Sequence, residues 1–192
     1  MIISIYQIQI ALSGFKPKIW RRVLVPSNLL LKDFHNIIQI TMGWTNSHLH
    51  QFIQDNMFYS VKYPDDDLWD DSRNICYKKN RIRISDLLTF EKDKMIYEYD
   101  FGDSWKHDII LEKILPYDSV KQFPICVTGK MNCPPEDCGG IWSYCQLLEI
   151  INQPDHVEYE ELMEWLGGEF DPNYFNKDEV NEMLKENGYG CD

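Results

Sequence analysis

Residues 97–112, YEYDFGDSWKHDIILE, constrain the fold more than any other stretch of the chain. Side chains alternate across a β-strand, so Tyr97, Tyr99 and Phe101 share one face. On the same rule Trp105, His107, Ile109 and Leu111 share one face of the next strand. A hairpin joins the two sets into one surface only if its loop has an odd number of residues, because a one-residue slip inverts a strand. The three-residue loop Gly102-Asp103-Ser104 meets that condition. It predicts the pairs Phe101–Trp105, Asp100–Lys106 and Tyr99–His107. A four-residue loop would oppose Asp100 and His107 instead and split the aromatic face. The segment therefore commits the chain to an antiparallel hairpin with one large aromatic surface to bury.

On this register His107 is a half-buried, hydrogen-bonded residue among tyrosines, and Asp103 is an Asx-type turn residue. A functional reading of the same segment gathers Asp100, Asp103 and His107 at one hairpin end as an acid/base or metal group, with Tyr99 and Trp105 beside them. The Asp-Phe-Gly tripeptide also occurs in protein kinases. The chain has no Gly-rich phosphate loop and no His-Arg-Asp catalytic loop, so the likeness carries nothing.

The rest of the chain supplies partners for this hairpin. Residues 2–12 (IISIYQIQIAL) and 18–25 (KIWRRVLV, closed by Pro26) read as paired strands. Leu31, Phe34, Ile37, Ile38 and Met42 have helical spacing, with Gly43 placed for a left-handed cap. Strands are expected at 49–54 and 57–63 around an Asp55-Asn56 turn. An acidic run (Asp65, Asp66, Asp67, Asp70, Asp71) then meets a basic one (Arg73, Lys78, Lys79, Arg81, Arg83). Residues 117–140, rich in Pro, Gly and Cys, read as a loop. Helices follow at 141–151, after Asp155 (capping box with Glu158), and after Asn176 (box with Glu179, staple between Phe175 and Val180). The expected fold class is α+β, a mostly antiparallel or mixed sheet packed with helices. It forms one domain over 1–192, strand-rich at 1–115 and helical at 140–188.

The net charge of −12 opposes nucleic acid, whose affinity comes from Lys and Arg neutralising phosphates. A local patch using Arg21, Arg22, Arg81 and Arg83 is the route by which DNA would still bind. No apolar run approaches the ~18 residues of a membrane span. Nor does the start resemble a signal peptide, so a cytoplasmic protein with reduced thiols is expected.

Metal chemistry has two candidate sources. His48-Leu49-His50 at the start of a strand puts both imidazoles on one face, where they can share a divalent metal. Cys133 and Cys138 have four residues between them, within the range of zinc pairs, yet no second pair matches them. Glu136 and Asp137 between these cysteines are candidates for a general base.

Five segments carry a family resemblance: GFKPKIWRRVLVP (14–26), LKDFHNIIQITMGWTNSHLHQF (31–52), YEYDFGDSWKHDIILE (97–112), PICVTGKMNCPPEDCGGIWSY (124–144) and EWLGGEFDP (164–172). Their order resembles the plasmid pRiA4b ORF-3-like family, also called the TnpR-like passenger protein of an insertion element. The resemblance spans nearly the whole chain. It implies a mobile-element-associated α+β domain of bacteria and archaea with no established reaction. The resolvase-like name finds no serine- or tyrosine-recombinase signature here. Ser104 and Ser143 stand where the family pattern has Gly. Cys126, Cys133 and Cys138 fall within its motifs, whereas Cys76, Cys145 and Cys191 do not.

Three functions are consistent with these residues. The first is a non-catalytic binding or adaptor module for a protein partner, with a groove lined by Trp20, Trp44, Trp105 and Trp142. The second is a metal-dependent, hydrolase-like enzyme built on His48, His50, Asp100, Asp103 and His107. The third is a nucleic-acid accessory to recombination.

Overall fold

The computed structural model describes residues 3–61 and 73–188. The expected strand pair at the N-terminus forms β1 (Ser4–Leu12) and β2 (Trp20–Pro26), antiparallel with Ile8 opposite Val23. Helix α1 (Leu31–Met42) ends at Gly43 with φ 94°, the left-handed conformation a glycine adopts without a Cβ clash. Strands β3 (His50–Gln54) and β4 (Met57–Ser60) turn through Asp55 and Asn56, both at positive φ. The outer end of the expected 57–63 strand and the acidic run at 65–71 lie outside the described residues. Short elements occupy the basic stretch: β5 (Asn74–Cys76), α2 (Tyr77–Asn80) and α3 (Ile84–Leu87).

The aromatic hairpin is β6 (Lys94–Tyr99) and β7 (Trp105–Pro116). Its register places Tyr99 opposite Trp105, Glu98 opposite Lys106 and Tyr97 opposite His107. The loop therefore runs Asp100–Ser104, two residues longer than expected. The odd parity holds, so the aromatic face is continuous, but the Asp100–Lys106 and Tyr99–His107 pairs are not formed. Asp100 leaves the strand at φ 56°, and its Oδ1 accepts the N–H groups of Gly102 (2.9 Å) and Asp103 (3.3 Å). Asp100, not Asp103, is thus the Asx residue of the turn. Phe101 is carried off the aromatic face and is exposed.

Sequence 117–140 is not all loop. Ile125–Lys130 forms β8, pairing antiparallel with β2. The strand signal of ICVT was hidden by the flanking Pro, Gly and Cys. The sheet has eight strands in the order β5-β4-β3-β6-β7-β1-β2-β8, antiparallel except for β4–β5. As an outer strand, β8 has an edge of the kind that templates aggregation when left bare. Asn181 covers part of it, bonding both the N–H and the C=O of Cys126 (2.7 and 2.9 Å).

The C-terminal helices are α4 (Gly140–Ile151), α5 (Tyr159–Trp165) and α6 (Lys177–Glu186). Asn176 caps α6 as expected, its Oδ1 accepting from Asp178 and its Nδ2 donating to Glu179. The Asp155–Glu158 box does not form. Residues 153–159 instead make successive turns, with the Glu158 N–H donating to His156 Nδ1, and α5 starts at Tyr159. The core lies on the sheet face that carries Tyr97, Tyr99, Trp105, His107, Ile109 and Leu111, with α1 against it. Phe34, Ile37 and Ile38 of α1 are fully buried, each worth roughly 1.5–3 kcal/mol. The fold class is α+β. No helix among the described residues is long and apolar enough to cross a membrane.

Candidate metal centre

Three loops meet over the end of the aromatic face. The first is 43–49, between α1 and β3. The second is the hairpin loop 100–104. The third is 131–139, between β8 and α4. Trp44 anchors the first against the third by donating from Nε1 to Pro134 O (3.0 Å), and it stacks on Tyr99 at 4.8 Å. Tyr99 is fully buried. Its hydroxyl accepts from Ser47 N–H (3.0 Å) and donates to Glu136 (3.1 Å). Burial and the neighbouring Glu136 carboxylate push its pKa well up, so it is a fixed donor. Glu136 Oε1 also accepts the N–H of Thr45 (2.8 Å). The Glu136 carboxylate is thereby a loop clasp, which leaves it poorly placed for the general-base role expected of it.

Asp103 works in the same way. Its Oδ2 accepts the N–H of Gly139 (3.0 Å), tying the hairpin loop to the start of α4. The approach is close enough that a Cβ on Gly140 would sit 2.9 Å from Asp103 O, and Gly140 has φ 79°. Gly140→Ala is expected to cost about 1–3 kcal/mol in urea unfolding. An unchanged midpoint would show that this contact does not hold the loops together.

Within this frame His48, Asp100 and Asp137 offer ligand atoms that lie within 4.8 Å of one another. Asp137 Oδ1 is 3.1 Å and Glu136 Oε2 3.6 Å from His48 Nε2, and Asp100 Oδ2 is 3.7 Å from His48 Nδ1. Nε2 is buried and makes no hydrogen bond, so the nearby carboxylates crowd it without aligning to it. Donors to one ion stand at most about 4.4 Å apart, twice a ~2.2 Å bond. The cluster exceeds that by a few tenths of an ångström, which the exposed Asp137 carboxylate can take up by rotation. One imidazole and two carboxylates suit a borderline divalent ion such as Zn²⁺ or Mn²⁺.

The structure separates the other sequence candidates from this cluster. His48 precedes β3, so strand alternation does not govern it, and the two imidazoles part. His50 stacks on His35 with centroids 3.4 Å apart, and its Nε2 bonds Tyr77 Oη (2.7 Å). His107 is fully buried rather than half-buried, 5.1 Å edge-on to Trp44, and Trp105 is buried beside it. Cys133 and Cys138 are free thiols whose pKa values burial raises, and neither joins the cluster. Arg21 is buried against backbone carbonyls, and Arg22 is bonded to Glu112 through both Nε and Nη2. The proposed phosphate patch thus loses half its members, leaving Arg81 exposed and Arg83 half-buried.

Sequence reading missed His35. Its Nδ1 meets Tyr97 Oη (2.8 Å) and its Nε2 meets Asn46 Oδ1 (2.7 Å). Gln39 completes the ring, donating to Tyr97 Oη and accepting from Asn46 N–H. This network fixes the 43–49 loop that presents His48. Its only sequence signal was a polar triad, His35, Gln39 and Asn46, with the first two spaced one helical turn apart.

Comparison with known proteins gives three results. The sequence model of the plasmid pRiA4b ORF-3-like protein family matches residues 4–179. The uncharacterised protein y4hQ of Sinorhizobium fredii (strain NBRC 101917 / NGR234) is 30% identical over 190 residues, covering 97% of this chain and 93% of that protein. The crystal structure of MM3350, a protein of unknown function from Methanosarcina mazei Go1, superposes with a TM-score of 0.81 at 37% identity, covering 94% of this chain and 98% of that one.

Proposed function

The chain belongs to the plasmid pRiA4b ORF-3-like family, and on that premise we propose that it is a divalent-cation-dependent binding module whose ion is held by His48, Asp100 and Asp137. One observation carries this reading: an imidazole and two carboxylates from three separate loops converge within 4.8 Å, with His48 Nε2 buried and lacking a hydrogen bond. A cation bound among them would offset the mutual repulsion of the carboxylates. Three protein ligands leave coordination positions open, and Asp137 is largely exposed on that side. An oxygen donor from a bound molecule completes the shell. When bound, the ion supplies polarisation of that oxygen.

Calorimetric titration with Mn²⁺ and Zn²⁺ tests the site. Asp137→Asn is expected to weaken binding at least tenfold and Asp108→Asn, at an exposed position of β7, to leave it unchanged. Free ion at 100 times its Kd should add about 2.7 kcal/mol of stability. Absence of binding by either ion at millimolar concentration would sink the proposal.

A docked protein partner is the second reading. Trp142 favours it, since it is 86% exposed on α4 where the hairpin loop meets that helix.

A further inference from the structure

We propose that the cavity between the start of α1, residues 46–50 and α2 is an oxyanion subsite, which takes the phosphoryl group of a small phosphate ester beside the cation. This deepens the cation-dependent reading and rests on it for the bridging role of His48. The cavity holds about 520 Å³, a size suited to a small-molecule ligand. Lys32, Asn36, Asn46, His48, His50 and Lys78 are among its lining residues, and none of the described Asp or Glu residues lines it.

The two lysines, with no carboxylate among the described lining residues, are the deciding feature. The chain has 31 acidic residues against 19 Lys and Arg. The 900 Å³ groove along α6 has Asp178 and Glu182 beside Lys121 and Lys185, and the 440 Å³ cavity at the 131–139 loop has Glu136 and Asp137. Neither of those prefers an anion. At the α1–α2 cavity Lys32 and Lys78 form no ion pair or hydrogen bond with the described residues. Lys32 also stands in the first turn of α1, where the helix dipole disfavours a cation that has no anion to meet. Lys78 lies near enough to His35 and His50 for its charge to lower the proton affinity of both.

The neutral groups point the same way. Asn46 Oδ1 is occupied by His35, so its Nδ2 is left as a donor. Two ammonium groups and an amide donor form a wall rich in donors, and a phosphoryl group presents only acceptors to it. His48 lines this cavity and is also a member of the cation cluster, so one imidazole would border both the anion and the ion.

The test titrates inorganic phosphate and phenyl phosphate into the full chain, with and without Mn²⁺. The proteins are wild type, the K32M/K78M double variant and D137N. Wild type with Mn²⁺ should bind phosphate, and the double variant should bind it at least tenfold more weakly while keeping its Mn²⁺ affinity. Phenyl phosphate binding as tightly as phosphate, or more so, supports the ester. Exclusion of phenyl phosphate overturns it. Equal phosphate affinity in wild type and the double variant overturns the subsite, as does no phosphate binding to Mn²⁺-loaded wild type. If Mn²⁺ fails to bind but phosphate binds in a lysine-dependent way, the cation reading falls and the subsite stands. Circular dichroism confirms that each variant is folded.

Discussion

Arg21→Met should destabilise the protein by about 4 kcal/mol, because it removes three carbonyl contacts at once, the one to Thr41 fully buried. The Arg21 side chain is buried with no carboxylate partner. Its Nε donates to Thr41 O (2.7 Å), and its Nη1 donates to Trp20 O (2.9 Å) and Lys130 O (3.0 Å). These oxygens belong to the end of α1, to β2 and to β8. The last turn of α1 contains no basic residue of its own, so Arg21 supplies from a neighbouring strand the cation that a helix C-terminus favours. Phe175 caps the guanidinium with its ring centroid 4.4 Å away. Packing is tight: a Cβ on Gly129 would lie 2.8 Å from Arg21 Cδ and 2.7 Å from Phe175 Cζ. Arg21→Lys keeps the charge but not the forked donor geometry, and should lose about 2 kcal/mol. Urea unfolding at neutral pH measures both. A loss below about 1 kcal/mol for Met would mean that water reaches these oxygens and that the clamp is not the joint between α1 and the sheet edge.

The second large effect is acid instability centred on buried histidines. Burial lowers the pKa of His107 and of His35 to about 4. Both stay neutral in the fold, where His35 is held in the Tyr97–Asn46 network. Once unfolded, each returns to about 6.5 and binds a proton more readily. Stability is therefore complete above about pH 6.5, falls as pH drops towards 4, and levels below that. Each such histidine contributes on the order of 3 kcal/mol across that window. His50, at about 3, is stacked on His35 and titrates with it as a pair, so the contributions do not add. Glu112 has the opposite arrangement: its bond to Arg22 lowers a carboxylate pKa, and the stability it contributes is lost only below about 4.5. Unfolding free energies from pH 7 to 4.5, measured with a chelator present, should drop by at least about 3 kcal/mol. His107→Asn should flatten that slope. A flat profile between pH 7 and 5 would mean that the histidines are hydrated or already charged.

Partners for the aromatic hairpin were legible because alternation is local. Tyr97, Trp105, His107 and Ile109 had to share a face, and parity alone excluded loops with even counts. Parity could not choose between three and five residues. That choice came from Asp100 turning into the left-handed region and binding Gly102 and Asp103, which no spacing rule records. The same limit explains the histidines. Two residues apart in sequence, His48 and His50 would share a face only inside a strand, and the strand begins at His50. Arg21 and Arg22 look alike as neighbours on a basic strand, yet β2 turns one inward to carbonyls and the other outward to Glu112.

The amino-acid order by itself determined the α+β class, the helix over 31–42 with its glycine cap, the Asn176 cap and the family, because each depends on periodicities and motifs within a few residues of chain. The tertiary structure decided the five-residue hairpin loop, the covered edge strand β8, the burial of Arg21 and the convergence of His48, Asp100 and Asp137. All of these depend on where separate loops end in space, and the positions of loop ends are set by long-range packing around Trp44, Tyr99 and Glu136.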